Sequence, residues 1–139
     1  MITIKKNTIT VQDYLTIRTC VGWKALLVEQ AEQALQHSLH VVGAYDGEKL
    51  VGMGRIVGDG AVICYVQDLI VVPEYQYKGV GSIVLNSLIE YVKSLRVEGT
   101  EMMLCLMCAK GRESFYEKHG FTARPTNELG PGMIQYLKD

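Results

Sequence analysis

A chain of 139 residues with 48% hydrophobic content is long enough to build one compact domain around a single core. Its 14 basic and 15 acidic residues are spread along the chain and give a net charge of −1, so we expect no nucleic acid partner. No apolar run reaches the ~18 residues that span a bilayer, and the first residues lack the basic-then-apolar order of a signal peptide. We therefore expect one domain over residues 1–139, located in the cytoplasm, with no membrane partner. Composition leaves the oligomeric state open, and a homodimer is one of the states it allows.

The first third of the chain predicts one short strand and two helices. Residues 1–6 alternate weakly between apolar and polar side chains and indicate a first strand. Thr10 is a typical helix N-cap, and the helix that follows it is expected to end at Gly22. A second helix is expected from Trp23 to His37, with apolar residues along one side. Trp23, at the break between the helices, is either part of the core or part of a substrate wall.

The middle of the chain predicts a meander of three strands. Asp46-Gly47 is a strong hairpin signal between the first two, and Gly58-Asp59-Gly60 supplies the next turn. Gly52 and Gly54 fall inside the second strand, where close packing or a bulge explains them better than phosphate binding. The three expected strands are Leu39–Tyr45, Lys49–Val57 and Val62–Val72.

The third of these strands leads into a turn that predicts an anion site. Its apolar run ends at Pro73, and an amphipathic helix is expected from Gly79 to Val97. The backbone N–H groups of a first helical turn point at a ligand, and the helix dipole favours negative charge there. Gly79 and Gly81 leave room for a phosphate beside those amides, and Lys78 adds a mobile positive charge. The stretch therefore predicts a phosphate-binding turn, although it matches neither the P-loop nor the dinucleotide pattern.

The last part of the chain predicts a strand, a short helix and a closing strand. They cover Glu101–Ala109, Arg112–His119 and Met133–Leu137, the last after a loop that contains Gly130-Pro131-Gly132. The long helix connects two strands as a crossover, so those two strands should run parallel while the meander is antiparallel. We therefore predict an α+β fold with a mixed, mostly antiparallel central sheet and helices on both faces.

Cysteine and histidine positions give no indication of a metal site. Cys105 and Cys108 have zinc-like spacing, but they lie in a predicted strand, where residues three apart point to opposite faces. The sequence offers no second pair of ligands, and its three histidines have no ligand spacing. We expect reduced cysteines and no bound metal.

Two blocks of the sequence resemble the GNAT superfamily of N-acetyltransferases. Leu69-x-Val71-x-Pro73 followed by Gln76-x-x-Gly79-x-Gly81 is similar to the acetyl-coenzyme-A motif of that family. Further along, Phe115-Tyr116-Glu117-Lys118-His119-Gly120-Phe121 resembles its closing motif, a short helix that ends at glycine. The order of the predicted elements also matches the family's fold, so the resemblance covers nearly the whole chain.

The resemblance implies acetyl-CoA as a co-substrate and assigns residues to it. In the family, a bulge splays the strand before the turn from its neighbour, and the pantetheine arm lies in the gap. Backbone groups of Ile70, Val71 and Val72 would contact the pantetheine amides as an added strand does. Phe115 is assigned a cofactor contact as well. The pyrophosphate would lie on the amides of Tyr77, Lys78, Gly79, Val80, Gly81 and Ser82.

The expected chemistry is direct attack by an amine within a ternary complex, because no activated Cys–His pair is visible. A backbone N–H of Ile70 or Val71 would stabilise the oxyanion, and Tyr116 matches the family's tyrosine that protonates the departing thiolate. Asp68 interrupts an apolar strand beside the reacting centre. It is either a base, an electrostatic anchor for the amine, or a carboxylate that hydrogen-bonds a neighbouring loop.

We expect an acetyl-CoA-dependent N-acetyltransferase that acts on a primary amine of a small molecule. The alternatives are a CoA-binding sensor without turnover and a protein N-acetyltransferase. Ala109 and Arg112 stand where many family members carry Asn and Ala, so cofactor contacts at those positions are not expected. Gln76 replaces the commoner arginine, which matters little if the amides carry the binding. The acceptor itself is not encoded in any recognisable pattern, neither around residues 20–24 nor around 125–133.

Overall fold

The computed structural model describes residues 1–139, which divide into two compact units, residues 1–106 and residues 107–139. The expectation of one domain over the whole chain stays a prediction. None of the helices combines the length and the apolar character that crossing a membrane requires. The first unit contains β1 (Ile2–Lys6), α1 (Val11–Cys20), α2 (Val28–Gln36), β2 (His40–Asp46), β3 (Lys49–Gly58), β4 (Ile63–Val71), a 3-10 turn (Pro73–Tyr75), α3 (Val80–Leu95) and β5 (Met103–Leu106). The second unit contains α4 (Glu113–Glu117).

The five strands form one sheet in the order β1-β2-β3-β4-β5. The first four strands pair antiparallel, and β5 pairs parallel to β4 because α3 connects these two strands as a crossover. Successive residues of β3 show which helices cover which face. Gly54 lies against α3 on one face. The next residue, Arg55, points to the other face, where it and Tyr14 of α1 both donate to the carboxylate of Asp68. The predicted α+β class, with a mixed sheet and helices on both faces, is confirmed.

The two glycines inside β3 are explained by close packing, as expected. A Cβ on Gly54 would lie 2.7 Å from Cδ1 of Leu88 and 3.1 Å from Cγ1 of Val84. A Cβ on Gly52 would lie 3.1 Å from Cγ1 of Val80. Without side chains at these positions, α3 can approach the sheet closely and bury its apolar stripe. Its buried residues are Val80, Val84, Leu85, Leu88 and Val92.

The start of α1 is confirmed in detail, because its signal is local. The Thr10 hydroxyl accepts a hydrogen bond from the Asp13 amide at 3.0 Å, and the Asp13 carboxylate accepts one from the Thr10 amide at 3.2 Å. This reciprocal arrangement is a capping box. The hairpin at Asp46-Gly47 is confirmed as well, since Asp46 pairs with Lys49 and Gly47 has φ of +62°.

The prediction that α2 begins at Trp23 is wrong, since the helix begins at Val28. The Trp23 amide donates to the Arg18 carbonyl at 3.1 Å, and the Arg18 guanidinium donates to the Lys24 carbonyl at 3.2 Å. These contacts hold the chain in a non-helical path between α1 and α2. Helix propensity alone predicted a helix here because the competing contacts come from a side chain of the previous helix.

Two predictions near the end of the chain are also wrong. The strand expected over 101–109 is only Met103–Leu106, so Cys108 lies beyond it. The closing strand expected at Met133–Leu137 is absent, and the four large apolar side chains of this segment are 64% to 88% exposed. An apolar run becomes a strand only when a partner supplies hydrogen bonds, and the sequence does not show that partner.

Candidate functional site

A bulge in β4 lies at the centre of the candidate site. Met53 pairs with Ile70 and Arg55 pairs with Gln67, so Gly54 alone faces two residues, Asp68 and Leu69. Asp68 has φ of +55°, in the left-handed region that non-glycine residues rarely adopt. An extra residue in one strand bends that strand and increases its twist. The bulge that the family resemblance implied is therefore present, next to Asp68.

Beyond the bulge, β4 has an open edge. Its pairing with β5 covers only Ile63–Val66, so residues 67–71 have no strand partner on that side. Backbone groups alternate between the two edges of a strand. The Val72 amide donates to the Val51 carbonyl at 2.9 Å, and the Ile70 carbonyl lies toward Gly52, so both residues are turned to β3. The residues turned to the open edge are therefore Leu69 and Val71.

This alternation corrects the predicted strand contacts. Ile70 pairs with Met53 of β3, the Val72 amide donates to β3, and the Val72 carbonyl accepts from the Tyr75 amide at 2.9 Å. These two residues are therefore not available to a ligand at the open edge, whereas Val71 is turned to that edge. Leu69 was missed by the sequence interpretation, although the period of two along a strand was the signal that could have found it. The carbonyl of Val71 already accepts a hydrogen bond from Nε2 of Gln76 at 3.0 Å, which ties the following turn to the end of β4.

The turn after β4 brings the six predicted phosphate-binding residues together. Tyr77 and Gly79 have φ of +63° and +85°, and such left-handed residues beside right-handed ones curve the backbone so that successive N–H groups converge on one point. The first bond of α3 runs from the Ile83 amide to the Gly79 carbonyl at 3.2 Å. The amides of Val80, Gly81 and Ser82 precede that bond and point along the helix axis. No atom lies within 4 Å of where a Gly79 Cβ would stand, so the space beside the turn is open.

The carboxylate of Asp68 lies in a buried cluster of charged and polar side chains. Its side chain has no exposed surface. The Tyr14 hydroxyl donates to one oxygen, and Nε of Arg55 donates to the same oxygen at 2.7 Å. Nη1 of Arg18 donates to the other oxygen at 2.9 Å, and Gln67 donates to it at 3.3 Å. Burial and the hydrogen bond to Asp68 raise the pKa of Tyr14, which keeps its hydroxyl a neutral donor.

Both oxygens of Asp68 are therefore engaged with groups of the first unit. A general base needs a lone pair directed at the proton it accepts, so this geometry favours the structural alternative for Asp68 over the base. The sequence interpretation missed the partners of Asp68, which are Tyr14, Arg18 and Arg55. Their signal was present, because Tyr14 and Arg18 share one face of α1 and a buried carboxylate needs cationic partners.

In the second unit, Tyr116 and Phe115 lie on α4 as predicted, and both are half-buried. The ring of Tyr116 packs edge-on against those of Phe115 and Phe121, with centroid distances of 5.1 Å and 6.0 Å. Nδ1 of His119 is 2.8 Å from the Phe115 carbonyl, which satisfies one of the last carbonyls of the helix. The motif thus folds as a small aromatic cluster around a short helix.

The cysteines carry no indication of metal or nucleophilic chemistry. All four are free. Burial raises the pKa of Cys64 and of Cys105, and partial desolvation with the nearby Glu113 carboxylate raises the pKa of the exposed Cys108, so these three thiols are mainly protonated. No three side chains of His, Cys, Asp or Glu come together in a way that could hold a metal ion.

Comparison with known proteins identifies the family. Residues 37–123 match the acetyltransferase (GNAT) domain, which includes both motif blocks found in the sequence. The chain therefore belongs to the GNAT family of acetyltransferases.

Relatives and solved structures agree with this assignment. An uncharacterised ycf52-like N-acetyltransferase from Prochlorococcus marinus is 32% identical over 76% of this chain, and the chain spans 58% of the length of that relative. A GNAT family acetyltransferase from Streptococcus pneumoniae is 37% identical, with all of both chains covered and a TM-score of 0.83. A protein of unknown function from Staphylococcus aureus is 31% identical, with 98% and 100% of the two chains covered and a TM-score of 0.85.

Proposed function

We propose that this protein is an acetyl-CoA-dependent N-acetyltransferase that acetylates a primary amine of a small molecule by direct attack in a ternary complex. One observation carries the proposal. The open edge of β4 runs directly into the turn at residues 76–82, so one continuous stretch offers an unpaired strand edge and then converging amides. An extended ligand with two amides at one end and a pyrophosphate at the other matches that order of groups.

The residues present fit acetyl-CoA. Backbone groups of Leu69 and Val71 at the open edge would pair with the pantetheine amides, as in strand addition. The amides of the turn and of the first turn of α3 would hold the pyrophosphate, and Lys78 is exposed beside them. A side chain at Gly79 would stand in the open space where the phosphate is expected. Phe115 is proposed as a further cofactor contact on the strength of its motif.

For the acetyl transfer, an N–H at the open edge serves the developing oxyanion. The amide of Leu69 or of Val71 is held in place by the strand, so it stabilises that charge without reorganising. The acceptor amine must be neutral to attack, and its proton passes to solvent or to a base. Tyr116 is proposed as the acid for the departing thiolate because of its place in the closing motif of the family. Asp68 is proposed as the group that orders Tyr14, Arg18 and Arg55 around the bulge.

The experiment that tests the proposal measures acetyl-CoA binding first. We expect binding of one acetyl-CoA per chain by calorimetry and a rise in melting temperature that grows with ligand concentration. At a concentration of 100 times Kd, mass action contributes about 2.7 kcal/mol to the stability of the folded state. A protein that shows no shift at millimolar acetyl-CoA would contradict the proposal.

Turnover is then measured with a panel of amines, amino acids and aminoglycosides, following acetyl-CoA consumption by chromatography. Chromatography is preferable to thiol reagents because Cys20 and Cys108 are exposed. Binding without stimulation by any amine would favour the CoA-binding sensor. Acetylation of peptides but not of free amines would favour the protein N-acetyltransferase.

A further inference from the structure

We propose that Arg18 is a positioning residue that holds the connection between α1 and α2, residues 21–27, beside the β4 bulge, and that acceptor binding depends on this hold. The inference rests on the proposed function for its activity readout. It begins from a difference between the two arginines that share Asp68. Arg18 and Arg55 reach the same carboxylate from α1 and β3, but their other contacts go to different parts of the chain.

Arg18 connects Asp68 to residues 21–27. Its Nη1 donates to Asp68, and its Nη2 donates to the Lys24 carbonyl at 3.2 Å. Its guanidinium also lies 5.3 Å from the centroid of a Trp23 ring, within the range of a cation–π interaction. One side chain thus binds the bulge, the backbone of the connection and its largest side chain at once.

Arg55 connects the same carboxylate to a different place. Its Nη1 donates to the Ser38 hydroxyl at 3.2 Å and lies 3.5 Å from the Ala34 carbonyl, at the end of α2. The negative end of that helix favours the charge of Arg55. None of its contacts reaches residues 21–27. Substitution of Arg55 therefore measures the effect of removing one positive charge beside Asp68 without loss of a contact to residues 21–27.

The contacts place the connection close to the reacting centre. Asp68 is the bulged residue, and Leu69, which follows it, is turned to the open edge proposed for the donor. Since a single guanidinium joins Asp68 to Lys24, residues 21–27 lie within one arginine side chain of the bulge. Trp23 is 40% exposed there, with a ring beside the Arg18 guanidinium. The ring is therefore available to an acceptor.

The arrangement needs an arginine rather than any cation. Nε of Arg18 is buried and makes no hydrogen bond, so the two terminal nitrogens set the orientation of the group. A planar fork donates to two partners at fixed angles, whereas an ammonium at the same place is a point charge. Arg18→Lys should keep a positive charge near Asp68 and lose the fixed path of residues 21–27.

The test compares Arg18→Met and Arg18→Lys with the matched control Arg55→Met. Methionine keeps most of the side-chain stem and its packing. Each Met variant therefore removes one positive charge beside the Asp68 carboxylate and changes little else. Two readouts follow the position of residues 21–27. Acrylamide quenching of the single tryptophan reports directly on Trp23. The KM for the panel amine that the wild type acetylates fastest reports on the acceptor.

We expect both Met variants to have lower melting temperatures, while their KM for acetyl-CoA stays within about twofold of wild type because the phosphate turn is intact. In Arg18→Met and Arg18→Lys the quenching constant should rise, and the amine KM should rise by about tenfold or more, as expected for a misplaced acceptor. In Arg55→Met both should stay near wild type. If Arg18→Met does not fold, the quenching constant and amine KM of Arg18→Lys test the inference.

Equal changes in the Arg18 and Arg55 variants would overturn the inference, because Arg18 would then only balance the charge of Asp68. Unchanged quenching in the Arg18 variants would overturn it as well. If the wild type turns over no amine, the proposed function fails while the quenching result still decides whether Arg18 holds residues 21–27.

Discussion

Leu88 of α3 lies so close to Gly54 of β3 that a methyl group on Gly54 would be 2.7 Å from its Cδ1. Gly54 is also the residue that faces the bulged pair of β4. We predict that Gly54→Ala destabilises the protein by about 1–3 kcal/mol, because Leu88 is fully buried and Val84, 3.1 Å away, has a restricted rotamer on its helix. Urea unfolding measures this change.

Gly130→Ala is the control for the Gly54 variant. Gly130 has no positive φ, and no atom lies within 4 Å of the place that an added methyl group would take, so its substitution should leave the unfolding midpoint near wild type. A Gly54 variant as stable as the Gly130 variant would show that α3 can shift away from the sheet without cost.

The proposed phosphate-binding turn at residues 76–82 gives a second prediction. Gly79→Val should abolish the thermal shift produced by acetyl-CoA, because its side chain would occupy the open space beside the converging amides. The matched control is Gly99→Val, since Gly99 has φ of +80° against +85° for Gly79 and also has no atom within 4 Å. Both variants carry the same backbone strain. A loss of ligand binding in both would indicate that strain, and not the phosphate site, is the cause.

Local signals in the sequence predicted local structure well. The capping box at Thr10 and Asp13 and the hairpin at Gly47 depend on residues that are neighbours along the chain. The start of α2 was predicted wrongly because the Lys24 carbonyl is bound by Arg18, a side chain whose own position depends on Asp68. Patterns within a short stretch of sequence do not show a contact between residues that are far apart along the chain.

In the candidate site, too, local features could be predicted from the sequence and long-range contacts could not. The turn at Gly79 could be predicted from the motif, and its φ of +85° agrees with that prediction, while the role of Gly79 and Gly81 in binding a phosphate stays a prediction. The identity of the strand residues turned to the open edge could not, because it depends on the register with β3, and the bulge at Asp68 and Leu69 changes that register. The partners of Asp68 come from α1 and β3, far apart in sequence, and only the fold brings them together.

A third prediction concerns His40, which is buried and stacked on Tyr91 with ring centroids 3.9 Å apart. Burial, with the nearby charge of Lys6, lowers the pKa of His40 below its usual 6.5. The unfolded chain then binds the proton more readily than the folded protein does. The contribution of neutral His40 to the free energy of unfolding is therefore fully present above about pH 6.5. It decreases as the pH falls below that value, by at most about 1.4 kcal/mol per pH unit.

Urea midpoints at pH 7.5 and 5.5 measure this effect. His40→Phe keeps a ring on Tyr91 and should remove the contribution of His40 to the pH dependence. The control His37→Gln changes an exposed histidine and should retain it. An unchanged slope in His40→Phe would mean that other groups cause the loss of stability in acid.

A fourth prediction separates the possible roles of Asp68. Asp68→Asn leaves two buried guanidinium groups without a carboxylate, so it should destabilise the protein by about 3–5 kcal/mol. The control Asp13→Asn changes a carboxylate in an exposed cap that asparagine can also form, and it should cost much less. With a structural role alone, the folded fraction of Asp68→Asn should keep a kcat near wild type. If Asp68 were also the base, that folded fraction would lose most of its kcat.

The last prediction concerns Tyr116, whose hydroxyl we propose as the proton donor to the thiolate of coenzyme A. A thiol of this kind has a pKa closer to that of Cys than to that of Tyr, so the transfer from a phenol is uphill unless the site shifts these values. The contribution of the acid should therefore be modest, about 10² in rate. Tyr116→Phe should lower kcat by that factor with acetyl-CoA affinity unchanged.

Phenylalanine keeps the ring that packs edge-on against Phe115 and Phe121, so this part of the stability should be retained in the variant. Tyr136→Phe, which removes an exposed hydroxyl in the same unit, is the control and should retain the wild-type kcat. The measurement must be made where chemistry limits the rate, which single-turnover kinetics establishes. If Tyr116→Phe then turns over as fast as Tyr136→Phe, the proton comes from water, and the role of Tyr116 is structural.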